Sequence, residues 1–464
     1  MKKGTSRNEL LNKDLTTYNP KMWKINIPFI NYSVRIEDFV PALSGSIGKT
    51  SLIAAFVMSW AVSFGITDYH NFVTENVRLE LIVGSILTIL LCAVLNPYAS
   101  PPGTLAPLIP IIPMMAASGV HPLPLGLIIG ILGLFISAFR YFDKITIING
   151  VGAKGGIILL FGLLGIQSSL NDLKLWSEAN NLSILLVVLI LVGIIQYIIL
   201  TRLNVKWLII PVCAIFALVF SALFGVVPNI STPVSLPIIN PNVWWNEKWG
   251  IGWGISVENF IKALPFGLLA VVMWPTDALA IRALQESSYP KEAHNTIFKA
   301  NSSFIIASIR NIIGVVLGGG QTSAIWRSFM IPLSSVKRPI GGSAFLLGII
   351  GLFFGISGFL LDIAVFPPLI ALVLIFGVFV PLLEVGLNTI RSVAKAQIAI
   401  LCILLGMVIN PVIGWVVAIL VENFNILGKS EEEKDIKKLV EIKITTTVVV
   451  FVTVVSFVLA NILS

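Results

Sequence analysis

Long apolar stretches recur along the whole chain and are separated by short polar segments. Ala42–Ile66 is the first, interrupted only by small residues and Lys49, and three others are Leu182–Leu200, Trp207–Val226 and Thr445–Leu463. A helix of such length crosses a hydrocarbon layer of roughly 30 Å and satisfies its own backbone hydrogen bonds there. The pattern therefore predicts an all-α polytopic membrane protein.

Fifteen such segments are predicted, seven in each half of the chain and one at the C-terminal end. They lie at about residues 42–66, 78–95, 104–117, 121–141, 149–167, 182–200, 207–227, 259–284, 297–317, 322–335, 341–361, 364–387, 394–409, 411–427 and 443–463. Hydrophobic residues make up 56% of the chain and charged residues 12%. A soluble domain carries about 25% charged residues, so composition supports the same class.

The loop charges predict the orientation of the chain. With the N-terminal segment 1–41 in the cytoplasm, alternate counting places these positive residues inside: Lys2, Lys3, Arg7, Lys13, Lys21, Lys24, Arg35, Arg140, Lys144, Arg202, Lys206, Arg282, Lys291, Lys299, Lys337, Arg338, Arg391, Lys395 and the run Lys429 to Lys443. The outside receives little more than Arg78, Lys174, Lys248 and Lys262. Positive loops resist translocation, which supports this count. Since the net charge of +8 lies in these loops and the N-terminal segment, it predicts no nucleic-acid partner.

The segment 228–258 divides the spans into two sets of seven, 42–227 and 259–427. Seven is odd, so the second set enters the membrane from the opposite side, as in an inverted repeat. The dividing segment is rich in Pro and contains Trp244, Trp245, Trp249 and Trp253. Because tryptophan favours the headgroup level, we expect an extracytoplasmic loop lying on the outer interface, with a substrate lid as the alternative.

The third span of each half is broken. The first reads Asn-Pro-Tyr-Ala-Ser-Pro-Pro-Gly-Thr-Leu-Ala-Pro over 96–107, and the second begins with three glycines at 318–320. Each predicts extended backbone followed by a half-helix, beginning at about Gly103–Thr104 and Thr322–Ser323. Two helix starts with free N–H groups form a pocket for negative charge. The predicted substrate-binding residues are Ser100, Gly103, Thr104, Gln321, Thr322, Ser323, Trp326 and Arg327.

Ionisable residues within predicted spans are functional candidates because charge is costly in lipid. Asp277 lies in the middle of the eighth span and is the candidate for H⁺ or Na⁺ coupling, with a structural ion pair as the alternative. Lys49 is interpreted as its partner or as a charge near the anion. Arg327 either adds positive potential or pairs with a carboxylate behind the site, and Arg310 is interpreted as structural. Cys92, Cys213 and Cys402 lie in apolar segments, and neither a metal site nor a cofactor is predicted.

The stretch Arg-Asn-Ile-Ile-Gly-Val-Val-Leu-Gly-Gly-Gly at 310–320, followed by Ala-Ile-Trp-Arg-Ser at 324–328, resembles the sulfate permease (SulP) family. Residues 100–108 are similar to the third-helix region of that family. The resemblance implies the fold shared with nucleobase–ascorbate transporters, with core (42–146, 259–362) and gate (147–227, 363–427) domains. The chain departs from it in Asp277, Trp326, the charged linker 428–442 and the extra helix 443–463, and we expect a divergent bacterial branch without the soluble C-terminal regulatory domain.

The resulting functional hypothesis is a secondary active transporter of a small anion, inorganic or carboxylate, in the bacterial cytoplasmic (inner) membrane. It implies coupling to H⁺ or Na⁺ and an elevator-type movement of core against gate. A nucleobase-type carrier, with Trp274 and Trp326 stacking on a ring and Gln321 bonding its edge, and a passive anion channel are the alternatives. A membrane enzyme needs clustered His or carboxylates, which the sequence lacks. The sequence leaves a homodimer open.

Overall fold

The computed structural model describes residues 7–139, 145, 147–390, 392–427 and 436–463. Six positive residues that the topology prediction names lie outside the described residues: Lys2, Lys3, Arg140, Lys144, Arg391 and Lys429. The same is true of positions 428–435 of the charged linker.

The first half of the chain folds into helices interrupted by one short strand. Its elements are α1 (Arg7–Thr16), α2 (Phe39–Ser63), α3 (Tyr69–Leu87), β1 (Pro102–Thr104), α4 (Ile112–Ala117), α5 (Pro122–Ala138), α6 (Val151–Ala179), α7 (Ser183–Arg202) and α8 (Ile209–Leu223). A π-helical turn at Thr88–Leu95 extends α3, and a 3₁₀ turn at Ala106–Ile111 leads directly into α4.

The second half repeats this order, and one further helix follows it. Its elements are α9 (Val257–Ser288), α10 (Ala300–Val316), β2 (Ser323–Ile325), α11 (Arg327–Ser335), α12 (Ile340–Ile356), α13 (Gly358–Ala364), α14 (Pro367–Leu374), α15 (Val380–Thr389), α16 (Val393–Val408), α17 (Pro411–Asn423) and α18 (Ile436–Leu463). A π-helical turn at Ile375–Phe379 joins α14 to α15.

The helices have the length and composition of membrane spans. Within the described residues, eight are long and apolar enough to cross a bilayer, and the bent pair α12–α13, with 94° between its parts, makes a ninth. Four shorter apolar helices accompany them: Ala106–Ala117, Pro122–Ala138, Val393–Val408 and Pro411–Asn423. The prediction of an all-α polytopic fold with short, broken third and tenth spans is confirmed.

Helix packing forms two groups. In the first helix group, α5 packs on α9 and α10, and α2, α3, α11 and α12 pack on one another. In the second helix group, α6 packs on α15, α16 and α17, while α8 packs on α7 and α14. The extra helix α18 contacts α9 of the first group and α17 of the second.

The predicted half-helix starts are displaced by a few residues. Residues 102–104 and 323–325 are strands, and the helical segments begin at Ala106 and Arg327. The residue before a proline is disfavoured in the helical region, which keeps 100–101 extended. Pairing of the two strands then satisfies backbone groups that a helix would otherwise satisfy.

The expected interfacial position of the tryptophans is wrong for three of the four. Trp244, Trp245 and Trp249 are buried, and their indole rings pack inside the first helix group. The Trp245 Nε1 donates to the Val315 carbonyl (3.2 Å) and the Trp249 Nε1 donates to the Gly318 carbonyl (2.9 Å). The Val315 carbonyl also accepts from the Gly318 N–H (3.1 Å) and the Gly318 carbonyl from the Asn76 Nδ2 (2.9 Å), so the indoles add to the hydrogen bonds that close the end of α10.

The rest of this connector is also fixed to the first helix group. Arg78 of α3 donates to the Pro233 carbonyl (2.5 Å), and Asp362 of α13 accepts from the backbone N–H groups of Ser231 (2.8 Å) and Thr232 (2.9 Å). The connector between the halves is therefore an ordered strap across α3, the C-terminal end of α10 and α13.

The N-terminal segment is attached to the same group at the opposite end of α3. Arg338, fully buried after α11, binds the carboxylates of Asp14 (2.6 Å) and Asp38 (2.8 Å). Tyr18 donates its hydroxyl to the Pro97 carbonyl (2.8 Å), and Tyr32 donates to the Ala93 carbonyl (2.7 Å). The segment thus joins the end of the second span to the loop after the tenth.

Candidate functional site

The two broken spans meet through their strands. β1 and β2 run antiparallel, with Pro102 opposite Ile325, Gly103 opposite Ala324 and Thr104 opposite Ser323. The Leu105 N–H continues the ladder by donating to the Thr322 carbonyl (2.8 Å). Because the helical segments begin directly after the strands, the crossing brings both helix starts to the same place.

Gly103 is required by the closeness of this crossing. A Cβ built on Gly103 would lie 2.4 Å from the Cγ of Trp326, well inside van der Waals contact. The Trp326 ring therefore packs directly on the Gly103 backbone. The same ring also contacts Lys49, whose Nζ lies 5.3 Å from the ring centroid, within the range of a cation–π contact.

A cavity of about 280 Å³ lies beside the crossing, between the two helix groups. The starts of both broken helices line it, with Thr104 to Pro107 on one side and Ala324 to Ser328 on the other. The remaining lining residues are Ser44, Leu52, Tyr197, Lys206, Trp207, Ile209, Ile210, Asp277, Ile331, Pro332, Gly377, Val378, Pro381, Leu382, Glu384 and Val385. The predicted convergence of the two helix starts on one pocket therefore agrees with the geometry.

The two helix starts are unequal in hydrogen-bonding capacity. In α11 the first helical bond is donated by Met330 to Trp326 (3.0 Å), so the N–H groups of Arg327 and Ser328 have no acceptor within the helix. The other start has Pro107 as its second residue, which lacks an N–H. The backbone donors of the cavity therefore come mainly from α11.

An ion pair lies at the wall of this cavity. Arg327 contacts the carboxylate of Asp277 from α9, and both side chains remain partly exposed. Lys154 of α6 adjoins the pair and lines a narrow space of about 10 Å³ with it. The pair belongs to the first helix group and Lys154 to the second, so this charge cluster spans the boundary between the groups. Sequence reasoning missed Lys154.

The interpretation of Lys49 as the partner of Asp277 is wrong. Asp277 pairs with Arg327, which agrees with the alternative that Arg327 has a carboxylate behind the site. Lys49 is buried within the first helix group, next to Gly84, and makes no ion pair with a carboxylate among the residues that the structure describes. The Trp326 ring lies against it on the side of the crossing.

A second ion pair, between Glu80 and Arg310, is completely buried behind the crossing. Glu80 also accepts from the Gln321 backbone N–H (3.2 Å) and its Nε2 (3.3 Å), while Thr104 donates to the Gln321 Oε1 (2.6 Å). A chain of polar contacts thus runs from the cavity wall at Thr104 to the pair. Glu80 was not singled out from the sequence, although it lies in an apolar span of the kind that made Asp277 a candidate.

Five of the predicted binding residues do not line the cavity. They are Ser100, Gly103, Gln321, Thr322 and Ser323, all buried in or beside the crossing. The Ser100 N–H donates to the Ser303 hydroxyl (2.9 Å), and Asn311 bonds both the N–H (2.6 Å) and carbonyl (3.0 Å) of Ser323. These five residues form or support the paired strands β1 and β2. Thr104, Trp326 and Arg327 face the cavity.

The pair of rings expected for a nucleobase site is not assembled. Trp274 packs against Phe304, with 5.5 Å between ring centroids, and does not line the cavity with Trp326. The Gln321 side chain is held by Thr104 and Glu80. The three residues expected to bind a flat heterocycle, Trp274, Trp326 and Gln321, therefore do not line one common site.

Another cavity of about 300 Å³ lies along the same boundary between the groups. It is lined by α2 residues such as Ala55 and Ser59, by Gly165 to Trp176 of α6, and by α14. Ile109 and Pro110 of the third span line this cavity, whereas Thr104 to Pro107 line the first. The two cavities thus reach the same span at neighbouring positions.

Comparison with solved structures shows the fold. The murine Solute Carrier 26 family member A9 anion transporter in its inward-facing state matches with a TM-score of 0.56 at 11% identity, over 86% of this chain and 70% of that one. The transmembrane domain of the cyanobacterium bicarbonate transporter BicA matches with 0.53 at 14% identity, over 83% and 98%. A further SLC26A9 structure matches with 0.50 at 14% identity, over 85% and 66%. The likeness to SLC26-type structures agrees with the resemblance to SulP transporters.

Sequence comparison gives the family. No curated protein sequence matches the chain significantly. A family model described as "Protein of unknown function (DUF3360)" matches residues 2–463, nearly the whole chain. This polytopic protein with crossed, broken third and tenth spans therefore belongs to the DUF3360 family.

Proposed function

We propose that the chain is a secondary active transporter of a small anion. The observation that carries this proposal is the cavity of about 280 Å³ into which the starts of both broken helices and Arg327 open. A helix start bears about half a positive charge and offers free N–H donors, so a ligand here is favoured when it is negative.

The fixed charges of the site favour the same sign of ligand. Arg327, Lys206 and Lys154 lie on or beside the cavity wall, and Asp277 and Glu384 are the carboxylates among them. Glu384 accepts from the Lys206 ammonium (2.6 Å) and Asp277 contacts Arg327. Three cations thus face two carboxylates, which leaves one positive charge available to an anion.

The arrangement of the groups suggests an elevator-type mechanism. We assign the first helix group to the core domain (42–146 and 259–362) and the second to the gate domain (147–227 and 363–427). The substrate-binding elements belong to the core, and cavities lie at two levels of the boundary with the gate. A displacement of the core along the gate would move the helix starts from one cavity to the other.

The comparisons support an anionic substrate. Two of the similar structures are described as an anion transporter and a bicarbonate transporter. We extend the anionic class to this chain, and propose the bacterial inner membrane, with a cytoplasmic N-terminus, as its location. A homodimer is compatible with the proposal. Coupling to H⁺ or Na⁺ is assigned to Asp277, whose ion pair at the mobile boundary can respond to ion binding, and Lys49 is a second candidate.

Anion uptake into proteoliposomes tests the proposal. We expect uptake to follow an imposed H⁺ or Na⁺ gradient, and Arg327→Gln to reduce it at least tenfold because the substrate loses a charged partner. The matched control is Arg282→Gln on the same group of helices, where the arginine is exposed and paired with Glu286. Gradient-independent flux would identify a passive anion channel, and equal uptake by Arg327→Gln and wild type would contradict the site.

A further inference from the structure

The walls of the cavity differ strongly in polarity. Its hydrogen-bonding groups are concentrated at the crossing, where the α11 start, Ser44 and Arg327 lie. Most other lining side chains are apolar: Leu52, Trp207, Ile209, Ile210, Ile325, Ile331, Pro332, Val378, Pro381, Leu382 and Val385. The wall contributed by the second helix group is therefore largely hydrocarbon apart from Tyr197, Lys206 and Glu384, which bond one another.

Unused donors lie at the polar end. Within the described residues, the Ser44 hydroxyl and the Arg327 Nε are buried and have no hydrogen-bond partner. Ser44 is 3% exposed. Buried polar groups are normally paired, because an unpaired buried donor loses its hydrogen bonds to water without replacement. These donors, together with the Arg327 and Ser328 N–H groups, match one anionic group of a ligand.

The apolar walls are a poor environment for an inorganic oxyanion. All faces of such an ion are hydrated in water, and each face that meets hydrocarbon loses hydrogen bonds that the protein does not replace. The volume also exceeds the need of an ion of a few atoms, because about 300 Å³ is the lower end of the range for sites that bind organic ligands.

We infer that the substrate of this cavity is an amphipathic organic monoanion, a carboxylate with an apolar body, whose carboxylate binds at the α11 start and whose body packs on the second helix group. This inference rests on the proposed transport function and narrows its substrate class. A second negative group on the body would meet either hydrocarbon or Glu384, whose partner Lys206 is already engaged. Dicarboxylates should therefore bind more weakly than monocarboxylates of the same length.

The experiment measures binding and proteoliposome uptake for a series of linear monocarboxylates from acetate to octanoate. Benzoate, succinate, adipate, sulfate, bicarbonate and chloride complete the panel. Each methylene placed against the apolar wall should tighten binding about fourfold, the equivalent of about 0.8 kcal/mol, until the cavity is full. Adipate should bind at least tenfold more weakly than hexanoate.

A cavity-filling variant tests where the body lies. Val378→Phe places a larger side chain in the wall, so it should lower the chain length at which affinity stops rising. The matched control is Val187→Phe on α7, where the valine is 56% exposed on the outside of the helix group and does not line the cavity. Val187→Phe should show the same dependence of affinity on carboxylate chain length as the wild type.

The outcomes separate the inference from the proposed function. Chain-length dependence that Val378→Phe shortens supports the inference. Transport of sulfate, bicarbonate or chloride without any effect of carboxylate chain length overturns the inference and leaves anion transport standing. Chain-length dependence that is the same in Val378→Phe and wild type also overturns it, because the body would then bind elsewhere. Absence of binding and transport for the whole panel overturns both.

Discussion

Removal of the Glu80 carboxylate should destabilise the protein more than any surface charge change. Arg310 is fully buried, and Glu80 is the only carboxylate that it contacts in the described part of the chain. The Arg310 Nε and Nη1 have no other hydrogen-bond partner there. Glu80→Gln therefore leaves a buried guanidinium without a counter-charge, at a cost of about 3–5 kcal/mol. That corresponds to a decrease of two to three and a half orders of magnitude in the folding equilibrium constant.

Replacement of both partners should cost much less than replacement of one. Glu80→Leu with Arg310→Met removes the uncompensated charge and leaves apolar side chains of similar volume, which is often neutral or stabilising. In a double-mutant cycle with Glu80→Leu and Arg310→Met as the single variants, the destabilisation of the double variant should therefore be much smaller than the sum of the two single effects. Glu80→Leu removes both acceptors of the hydrogen bonds from Gln321, whereas the amide oxygen of Glu80→Gln can still accept one of them, so this difference works against the double variant.

The assay is equilibrium unfolding in mixed micelles, with Glu178→Gln as the matched control. Glu178 is exposed and lies 3.7 Å from Lys174, so its loss should change the free energy of unfolding by less than about 1 kcal/mol. A cost below about 1 kcal/mol for Glu80→Gln, or a double variant as unstable as the single one, would refute the reasoning. Either result would show that the buried guanidinium has another means of compensation.

Three further predictions concern topology, coupling and pH. Cysteines introduced at Asn171 and Asn246 should react with an impermeant thiol reagent added from outside, and a cysteine at Ser335 should not. All three positions are exposed, so each is accessible on its own side of the membrane. Reversed labelling would contradict the predicted topology and the inverted repeat that depends on it. Asp277→Asn should abolish ion-driven accumulation and leave unfolding nearly unchanged, and concentrative uptake equal to wild type would make Asp277 structural. Burial raises the pKa of Asp14, but hydrogen bonds from Arg35 and Arg338 outweigh it and hold this pKa below the usual 3.8. The stabilisation that ionised Asp14 gives to the N-terminal segment is complete above about pH 4 and is lost as the pH falls through the lowered pKa. Limited proteolysis of this segment should therefore accelerate only in that acidic range. Asp14→Asn should accelerate the proteolysis at neutral pH.

The sequence pattern was sufficient for the spans and for the position of the breaks. Runs such as Leu182–Leu200 have no other stable state in a bilayer, and the prolines and glycines around 100 and 318–320 exclude continuous helices. The pattern does not reveal that the breaks pair as strands, because three-residue strands such as Pro102–Thr104 have no periodicity to detect.

Contacts between residues distant in sequence were the main source of error. The partner of Glu80 is 230 positions away, and neither charge carries information about the other. Asp277 was assigned Lys49 as a partner because both are charges in apolar spans, yet α11 brings Arg327 closer. The tryptophans at 244–249 have the composition of an interfacial loop, but two of them donate to the carbonyls of Val315 and Gly318, and only the folded chain brings these groups together.

The strap that joins the two halves is connected to the second helix group through a short segment that, in the described part of the chain, no side-chain hydrogen bond fixes to the first group between 223 and 231. Its anchored part begins at Ser231, whose N–H binds Asp362, while α8 of the second group ends at Leu223. The eight residues from 223 to 231 can span at most about 26–29 Å when fully extended. If the two groups move relative to each other, this segment can change its extension while the buried tryptophans beyond it keep the end of α10 capped.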